Sequence, residues 1–317
     1  MHKILVTGCA GFIGSHVCEA LLSKGFEVIG VDNFDSFYKE EIKRINLGSF
    51  IQHKNFTFYQ LDITKDLHQV PQQKIDAVIH LAAKAGVRPS IEDPAGYINT
   101  NIVGTEKILA FMKTNAISKL VFASSSSVYG NNKKIPFSED DNVDNPISPY
   151  AFTKKAGELL NYTYHNLYNF DVVNLRFFTV YGPRQRPDLA IHKFIKKIGH
   201  NEPIVLFGDG ETARDYTYIT DTVQGILKAL DYCMNNQQVY ITLNLGNNNP
   251  VKLIELVNLI YNAMGKEKNI HFEPMQPGDV DITFADIEKA RQVLGYAPSV
   301  DIKTGIGNFI GWMSAAK

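Results

Sequence analysis

The 317-residue chain is 44% hydrophobic, which is enough to bury the core of one large domain or of two unequal ones. Its 32 Lys and Arg balance 33 Asp and Glu, and the net charge of -1 offers no general attraction for nucleic acid or anionic membranes. The N-terminal residues lack the features of a signal peptide, and no segment reaches the roughly 18 apolar residues of a membrane helix. The three cysteines, Cys9, Cys18 and Cys233, match no metal motif. We therefore expect a cytoplasmic protein without metal, membrane or nucleic-acid partners.

Short β-branched runs alternate with longer helical patterns through the first half of the chain. Continuous apolar runs separated by helices are typical of parallel strands that are covered on both faces. The pattern predicts an α/β fold with a doubly wound parallel sheet. Six strands are predicted, at residues 3–7, 27–31, 56–61, 77–81, 120–124 and 172–177.

The second half has a looser pattern, richer in Gly, Pro and charge, which predicts a smaller α/β domain for the substrate. A helical pattern at 221–232 followed by an apolar run at 240–245 predicts one more helix and strand that return to the first sheet. Further helices are predicted near 188–198, 252–264 and 303–313. The predicted division assigns residues 1–178, with 219–247, to the first domain and residues 179–218 and 248–317 to the second.

A glycine-rich turn, Gly8, Gly11 and Gly14, joins the first strand to a helical pattern that ends at Gly25, a plausible C-terminal cap. Glycines at this spacing permit a tight turn, close approach to a pyrophosphate at the helix N-terminus, and tight packing of helix on strand. The pattern predicts a dinucleotide (Rossmann) site, which would also include Phe12 and Ile13. An ordinary strand-to-helix turn is the alternative.

The second strand ends in Asp32 and Asn33, about 20 residues beyond the glycines, where a carboxylate can accept both hydroxyls of an adenosine ribose. The same carboxylate repels a 2'-phosphate, which favours NAD over NADP. The alternative is a solvated acid at the end of a strand. Small and polar residues also follow the third and fourth strands, where ligands of open α/β sheets bind: Asp62, Ile63, Leu81, Ala82, Ala83 and Lys84.

A serine run at 124–127 follows the fifth strand, and Ser148 and Pro149 predict the cap and first residue of a helix. Tyr150 and Lys154 then share one helix face, so the ammonium can stabilise a tyrosinate and lower its pKa. A tyrosine tuned in this way is a general base near neutral pH. A packed Tyr and a surface Lys are the alternative.

The motifs TGCAGFIG, Asp32, SSSSVYG and Tyr150-Ala-Phe-Thr-Lys154 resemble the extended short-chain dehydrogenases/reductases, the NAD-dependent epimerase/dehydratase family. The resemblance implies Tyr150 as base, Lys154 holding Tyr150 and the nicotinamide ribose, and Ser125 bound to the reacting sugar oxygen, a role that Ser126 or Ser127 could share. It also implies a homodimer packed through helices at 93–113 and 149–168. Further cofactor contacts are implied for Asn101, Ser124 and Phe178.

Two loops of the second half are similar to the family's nucleotide-sugar loops. Arg214 would bind the diphosphate of a UDP-sugar through paired hydrogen bonds, and its alternative is an ion pair with Asp215 or a solvated loop. The segment 276–279 is similar to the last substrate loop, although Gln276 replaces the usual Arg. The remaining substrate contacts that the resemblance implies are Asp188, Leu189, Thr212 and Asp279.

The segments 84–90, 32–38 and 175–182 most resemble the UDP-glucuronate 4-epimerases of this family. A uronate carboxylate needs extra donors, which Arg88, Arg186, Thr179 and the spare serines could supply; a surface position is the alternative for Arg88. Dehydratases of the family carry an acidic pair where Ser126 and Ser127 stand, and decarboxylases carry a Glu before Val-Tyr-Gly.

The resemblance therefore implies an NAD-dependent 4-epimerase that oxidises C4 of UDP-glucuronate or UDP-galacturonate transiently. Its alternatives are a UDP-glucose or UDP-N-acetylglucosamine 4-epimerase, a dehydrogenase, and a non-catalytic NAD-binding regulator.

Overall fold

The computed structural model describes residues 2–71, 73–274 and 281–315, which form an α/β fold. The strands are β1 (Lys3–Thr7), β2 (Glu27–Asp32), β3 (Phe56–Gln60), β4 (Ala77–His80), β5 (Lys119–Ser125), β6 (Asp171–Phe177), β7 (Thr179–Tyr181), β8 (Ile204–Phe207), β9 (Ala213–Tyr218), β10 (Tyr240–Leu245), β11 (Pro250–Lys252) and β12 (Ile270–Glu273). The helices are α1 (Phe12–Ser23), α2 (Glu40–Gly48), α3 (Val87–Glu92), α4 (Pro94–Ile98), α5 (Gly104–Thr114), α6 (Pro149–Tyr168), α7 (Ala190–Gly199), α8 (Ile219–Asn235), α9 (Leu253–Met264), α10 (Glu288–Leu294) and α11 (Ile302–Ala315).

The centre of the fold is a parallel sheet with the strand order β3-β2-β1-β4-β5-β6-β10. Successive residues of a strand point to opposite faces, and Ile4 and Val6 accordingly lie in one buried cluster while Leu5 lies in another. Helices α1 and α8 cover the first face, and α5 and α6 cover the second. The predicted doubly wound sheet is confirmed, because both faces are buried beneath helices.

The predicted return of residues 240–245 to the main sheet is observed as β10, which pairs parallel with β6 and aligns Tyr240 with Val172. The preceding helix, α8, extends the predicted range 221–232 by two residues at its start and three at its end. The division of the chain into two domains at these boundaries stays a prediction.

The smaller part of the fold contains two short sheets, β11-β9-β7 and β12-β8, packed with α7, α9 and α11. Their apolar side chains join the same buried cluster as α1 and α8, so the core is continuous across this side of the main sheet. Four of these strands escaped the sequence pattern because three or four residues are too few to establish a period of two, whereas the six residues of β9 lie in a segment that was interpreted as a substrate loop.

Helix α6 begins as predicted, since the Ser148 hydroxyl accepts a hydrogen bond from the Ala151 amide at 3.1 Å and Pro149 follows it. Residues 94–114 form one helical stretch that packs against α6. Its middle part, Asn99–Val103, has π-helical geometry. Within the described ranges, no helix combines the length and the hydropathy of a membrane span.

Candidate active site

A cavity of about 360 Å³ opens at the carboxyl ends of the parallel strands, where open α/β sheets bind their ligands. It gathers residues from segments that are far apart in sequence, including most of the predicted site. The predicted residues that line it are Gly8, Gly11, Phe12, Ile13, Gly14, Asp32, Asn33, Asp62, Ile63, Leu81, Ala82, Ala83, Lys84, Ser124, Ser125, Tyr150, Lys154, Phe178, Thr179, Arg186 and Leu189.

The glycine turn brings backbone close to backbone at the base of this cavity. The Gly8 amide donates to Val31 O at 2.8 Å, and Gly8 has a positive φ of 72°. A Cβ added to Gly14 would lie 2.0 Å from Gly8 O, so no larger residue fits there without moving the turn. The N-terminus of α1 faces the cavity without a side-chain cap, which leaves backbone N–H groups for an anion such as a pyrophosphate.

Asp32 lies at the end of β2, 9% exposed, and its carboxylate is held by two backbone amides. Oδ2 accepts from Ala10 at 3.1 Å and Oδ1 accepts from Phe34 at 2.9 Å. Burial raises the pKa of this carboxyl above its ordinary value, while the amides and Lys43 act in the opposite direction. The fixed carboxylate is suited to accept from ribose hydroxyls, so the residues present fit the adenosine end of NAD.

Several cavity residues follow Asp32 and were missed by motif reasoning. Lys43 of α2 donates from Nζ to Asp35 O at 2.6 Å and lies 4.6 Å from the centre of the Tyr38 ring. Phe37 and Tyr38 line the same wall. The sequence of α2 offered no signal for Lys43, because its burial arises from packing against the loop after β2.

Tyr150 and Lys154 lie on one face of α6, as their spacing predicts, and both line the cavity. Lys154 Nζ donates to Ala123 O at 2.7 Å and lies 6.0 Å from the centre of the Tyr150 ring. Burial lowers the pKa of Lys154 to about 8. The ammonium is therefore held by the end of β5 and does not contact the phenol in this structure.

Burial raises the pKa of Tyr150 above its ordinary value, and a hydrogen bond with Ser125 and the charge of Arg186 partly oppose that rise. This result corrects the expectation that Lys154 lowers the pKa of Tyr150, since desolvation outweighs the other contributions. The ring is also held edge-on by Tyr97 of α4, with ring centres 6.2 Å apart. Tyr150 is thus positioned as a proton acceptor whose activation depends on its neighbours.

The serine run has a different role at each position. Ser124 donates to Glu158 Oε1 at 2.6 Å, behind the cavity. Ser125 Oγ accepts from the Ser127 amide at 3.1 Å and shares a hydrogen bond with the Ser127 hydroxyl at 3.1 Å, and its own proton can go to Tyr150 when Ser127 is the donor. Ser126 and Ser127 are half-buried on the short turn Ser126–Tyr129 and do not line the cavity. Ser125 is therefore the serine that lies beside Tyr150.

Asn101, predicted to contact the cofactor, lies outside the cavity lining and is 3% exposed. Its side chain accepts from the Lys84 amide at 2.8 Å and donates to Lys84 O at 2.9 Å and Thr153 Oγ1 at 3.0 Å. These contacts attach the loop after β4 to α6, and the predicted cofactor contact of Asn101 stays a prediction. Asn101 shapes the cavity wall indirectly, by holding Lys84.

Arg186 enters the cavity from the loop after β7 with a side chain that is only 15% exposed. It forms a paired interaction with Asp188, from Nε to Oδ1 at 3.0 Å and from Nη2 to Oδ2 at 2.8 Å. Its guanidinium also lies over the Phe37 ring at 4.9 Å and donates to Ala85 O at 3.3 Å. One side chain therefore connects three loops at the mouth of the cavity.

The residues that precede Arg186 in the same loop bind to α1. Arg184 donates to both carboxylate oxygens of Glu19 at 2.9 and 2.8 Å, and the His16 ring hydrogen-bonds with Pro183 O at 3.0 Å. Residues 182–189 are thus attached to α1, whose N-terminus faces the cavity.

Other predicted substrate residues lie apart from the cavity lining. Arg88 is exposed on α3, near the Phe207 ring at 5.8 Å, and Arg214 on β9 donates to Ala213 O and Asp281 O. Asp188 and Thr212 are also outside the lining. Gln276 and Asp279 lie outside the described residues. The predicted diphosphate and uridine contacts stay predictions.

The sequence matches the family model described as GDP-mannose 4,6 dehydratase over residues 5–309. A protein of Thermodesulfobacterium geofontis named UDP-glucuronate 4-epimerase is 44% identical over 318 residues, which cover 98% of this chain and 96% of that protein. The similarity therefore extends over nearly the whole length of both proteins.

Solved structures show the same extent of similarity. A UDP-glucuronic acid 4-epimerase from Bacillus cereus, in complex with UDP-glucuronic acid and NAD, is 38% identical with a TM-score of 0.94, covering 99% of this chain and 100% of that one. A UDP-N-acetylglucosamine 4-epimerase from Methanobrevibacter ruminantium is 31% identical with a TM-score of 0.90, covering 100% and 99%.

Proposed function

Since the chain belongs to the GDP-mannose 4,6 dehydratase family of NAD-dependent epimerases and dehydratases, we propose that it is an NAD-dependent 4-epimerase that interconverts UDP-glucuronate and UDP-galacturonate. The observation that carries the proposal is one cavity that joins the glycine turn and Asp32 to Tyr150 and Arg186. The first two fit NAD, and the last two fit the oxidation of a sugar that bears a carboxylate.

Tyr150 accepts the proton of the C4 hydroxyl and returns it after the sugar has turned. Ser125 hydrogen-bonds with Tyr150 and lies at the point where it can also hold the reacting oxygen. Because burial raises the pKa of Tyr150, the buried phenol needs this bond and nearby positive charge to act as a base at neutral pH.

Lys154 would hold the nicotinamide ribose as well as the cavity end of β5. Lys154 is 5% exposed, and reorientation of its ammonium away from Ala123 O would place a positive charge nearer to the phenol. NAD held by the glycine turn, Asp32 and Lys154 would supply the acceptor for the C4 hydride and would return that hydride to the opposite face of the ketone, so the cofactor would be regenerated in every cycle.

The 4-keto form of a uronate is a β-keto acid, which loses CO2 when its C5–C6 bond stands perpendicular to the ketone plane. An epimerase must therefore restrain the carboxylate. We assign this role to Arg186 and Thr179, which line the cavity. Each charge-assisted hydrogen bond contributes about 1.5 to 3 kcal/mol, enough to bias the orientation of the group.

The serines also argue against the reaction in the family's name. Elimination of water across C5 and C6 requires an acid and a base beside the sugar, and this chain has Ser126 and Ser127 at the place where dehydratases carry an acidic pair. Neither hydroxyl can deliver or accept that proton at neutral pH. Epimerisation needs only Tyr150 for proton transfer.

The proposal is tested by incubating the purified protein with UDP-glucuronate, UDP-glucose and UDP-N-acetylglucosamine and identifying the products by NMR. We expect UDP-galacturonate, little UDP-pentose, and no lasting change in absorbance at 340 nm. Turnover of UDP-glucose or its N-acetyl analogue without UDP-glucuronate would contradict the uronate assignment. A steady rise at 340 nm would indicate a dehydrogenase, and binding of NAD without any turnover a regulator.

We also propose a homodimer, formed through α6 and the helical stretch 94–114. These two helices pack side by side, and five large apolar residues on the stretch 94–114 and on residues 149–162 of α6 are between 37% and 55% exposed, more than a monomer needs to leave in water. A second copy of the chain, related by a two-fold axis, would cover these two helices with the same two helices of its own. The residues are Ile98, Val103, Phe152, Leu159 and Tyr162.

Light scattering of Leu159→Glu tests the dimer, with Ile45→Glu as the matched control. Leu159 is 55% exposed on α6, and Ile45 is 72% exposed on α2, away from the proposed interface. We expect a dimer for the unmodified chain and for Ile45→Glu, and a monomer for Leu159→Glu. An unmodified chain that is monomeric at micromolar concentration would remove the proposal.

A cytoplasmic location, which we also infer, is supported by three free cysteines.

A further inference from the structure

A buried ion pair lies behind the serine run and takes no direct part in the proposed reaction. Glu158 on α6 is 2% exposed, and Arg176 on β6 is 3% exposed. Arg176 donates from Nε to Oε1 and from Nη2 to Oε2 of Glu158, both at 2.9 Å. A buried pair contributes little net stability, because both charges lose their water. Its use must therefore be sought in what it holds in place.

On the α6 side, the pair continues the catalytic face of the helix. Tyr150, Lys154 and Glu158 are spaced by four residues and lie above one another. Lys154 donates to Ala123 O at 2.7 Å, and Glu158 accepts from the Ser124 hydroxyl at 2.6 Å. The helix is thus bonded to two successive residues of β5, immediately before Ser125.

On the other side, the pair reaches the far end of the serine run. Arg176 Nη1 donates to Tyr129 Oη at 3.0 Å, and this hydroxyl donates in turn to Asn244 Oδ1 at 2.7 Å. Tyr129 closes the short turn Ser126–Tyr129. A single ion pair therefore fixes Ser124, the first residue of the serine run, and Tyr129, which lies two residues after the run.

We propose that Glu158 and Arg176 are positioning residues that hold residues 124–129 against α6 and so keep Ser125 beside Tyr150. The inference rests on the proposed epimerase function for its kinetic consequence. Neither residue lines the cavity, so each must act through Ser124 and Tyr129. Loss of the pair lets Ser125 move away from the phenol while the cofactor site stays intact.

The groups that face Tyr150 show what such a movement changes. Ser125 and Arg186 lower the pKa of the phenol, Lys154 lies on the same helix, and Tyr97 packs against the ring. His80, buried beside Lys154, has a pKa lowered to about 3 by burial and stays neutral. Without the bond from Ser125, the pKa of Tyr150 rises and less tyrosinate is available at neutral pH.

The test compares Glu158→Gln with Asn161→Ala. Asn161 follows Glu158 by three residues on α6 and donates to Asn174 on β6 at 2.8 Å, so the control breaks a buried bond between the same two elements. Three quantities are measured: turnover of UDP-glucuronate, NAD affinity by calorimetry, and the pKa of Tyr150 in the NAD complex by NMR of ring-labelled tyrosine, assigned with Tyr150→Phe.

For Glu158→Gln we expect turnover to fall on the order of tenfold or more, with KM and NAD affinity nearly unchanged and the pKa of Tyr150 raised by about half a unit or more. The control Asn161→Ala should change turnover, KM and NAD affinity by no more than about twofold and should leave the pKa of Tyr150 unchanged. Equal losses in both variants, or an unchanged pKa of Tyr150 in Glu158→Gln, would overturn the inference.

Ser124→Ala decides the matter if Glu158→Gln does not fold, because it leaves the ion pair intact and removes only the bond between Ser124 and Glu158. We expect the same loss of turnover and the same rise in the pKa of Tyr150. A loss of NAD affinity in its place would make Ser124 a cofactor contact and overturn the positioning role. The NMR measurement needs no sugar. If the pKa of Tyr150 rises in these variants but the unmodified chain epimerises no sugar, the positioning role stands and only the proposed function is refuted.

Discussion

Replacement of Arg186 by Ala should impair the use of UDP-glucuronate selectively. The guanidinium lies in the cavity and is the cation from the substrate loop that can meet a uronate carboxylate there. Loss of one charge-assisted hydrogen bond costs about 1.5 to 3 kcal/mol, which corresponds to a rise in KM of about tenfold to a hundredfold. UDP-glucose has no carboxylate, so its KM should change by no more than about twofold.

The cost of this replacement to the folded state should be small. Arg186 is paired with Asp188, whose side chain is 36% exposed, so water can solvate the carboxylate that remains. Partly exposed ion pairs contribute about 0 to 1 kcal/mol. The change in KM can therefore be measured on folded protein.

Arg184→Ala is the matched control, because it breaks a paired interaction of the same geometry with Glu19 in the same loop but lies outside the cavity lining. Steady-state kinetics with both sugars, and NAD affinity by calorimetry, are measured for the two variants. The reasoning is refuted if Arg186→Ala raises KM equally for UDP-glucuronate and UDP-glucose, or if Arg184→Ala shows the same selectivity.

Three further predictions follow from the site. Tyr150→Phe should lower turnover by orders of magnitude with little loss of UDP-sugar affinity, since it removes a proton acceptor and little contact area; near wild-type turnover would place the base elsewhere. NAD should bind more tightly than NADP, and Asp32→Ala should narrow the difference, because the buried carboxylate accepts ribose hydroxyls and repels a 2'-phosphate; equal affinities in calorimetry of the unmodified chain would contradict this role. The pKa of Lys154, lowered by burial to about 8, lies below the value of about 10.4 in an unfolded chain, so the unfolded state binds more protons between these values and stability should rise with pH there. Thermal unfolding of NAD-stripped protein from pH 8 to 10 should show this rise relative to Lys154→Met, and parallel curves for the two proteins would exclude it.

The sequence predicts what depends on local spacing. The strands of the main sheet follow from continuous apolar runs, and the cap at Ser148 follows from a serine before Pro149. The shared face of Tyr150 and Lys154 follows from their spacing of four residues. The glycine turn and Asp32 meet in one cavity because they flank neighbouring parallel strands, β1 and β2, whose carboxyl ends lie at one edge of the sheet.

What the sequence does not predict depends on packing between distant segments. Asn101 bonds with the backbone of Lys84 and with Thr153 of α6, contacts that its position in sequence did not indicate. Lys154 is bonded to Ala123 O, so proximity along the helix did not determine the pKa of Tyr150. In each case a tertiary hydrogen bond, which no spacing rule contains, competes with the expected contact.

The attachment of residues 182–189 to α1 has a consequence for how this protein could diversify. Pro183, Arg184 and Arg186 each connect the loop to the cofactor part of the molecule, through His16, Glu19 and Ala85. An insertion or deletion between these attachments would shift at least one of them out of register and loosen the NAD site. New sugar preferences should therefore arise by exchange of side chains at a constant loop length, and relatives with other substrates should differ at residues 179 and 186 before they differ in the length of this loop.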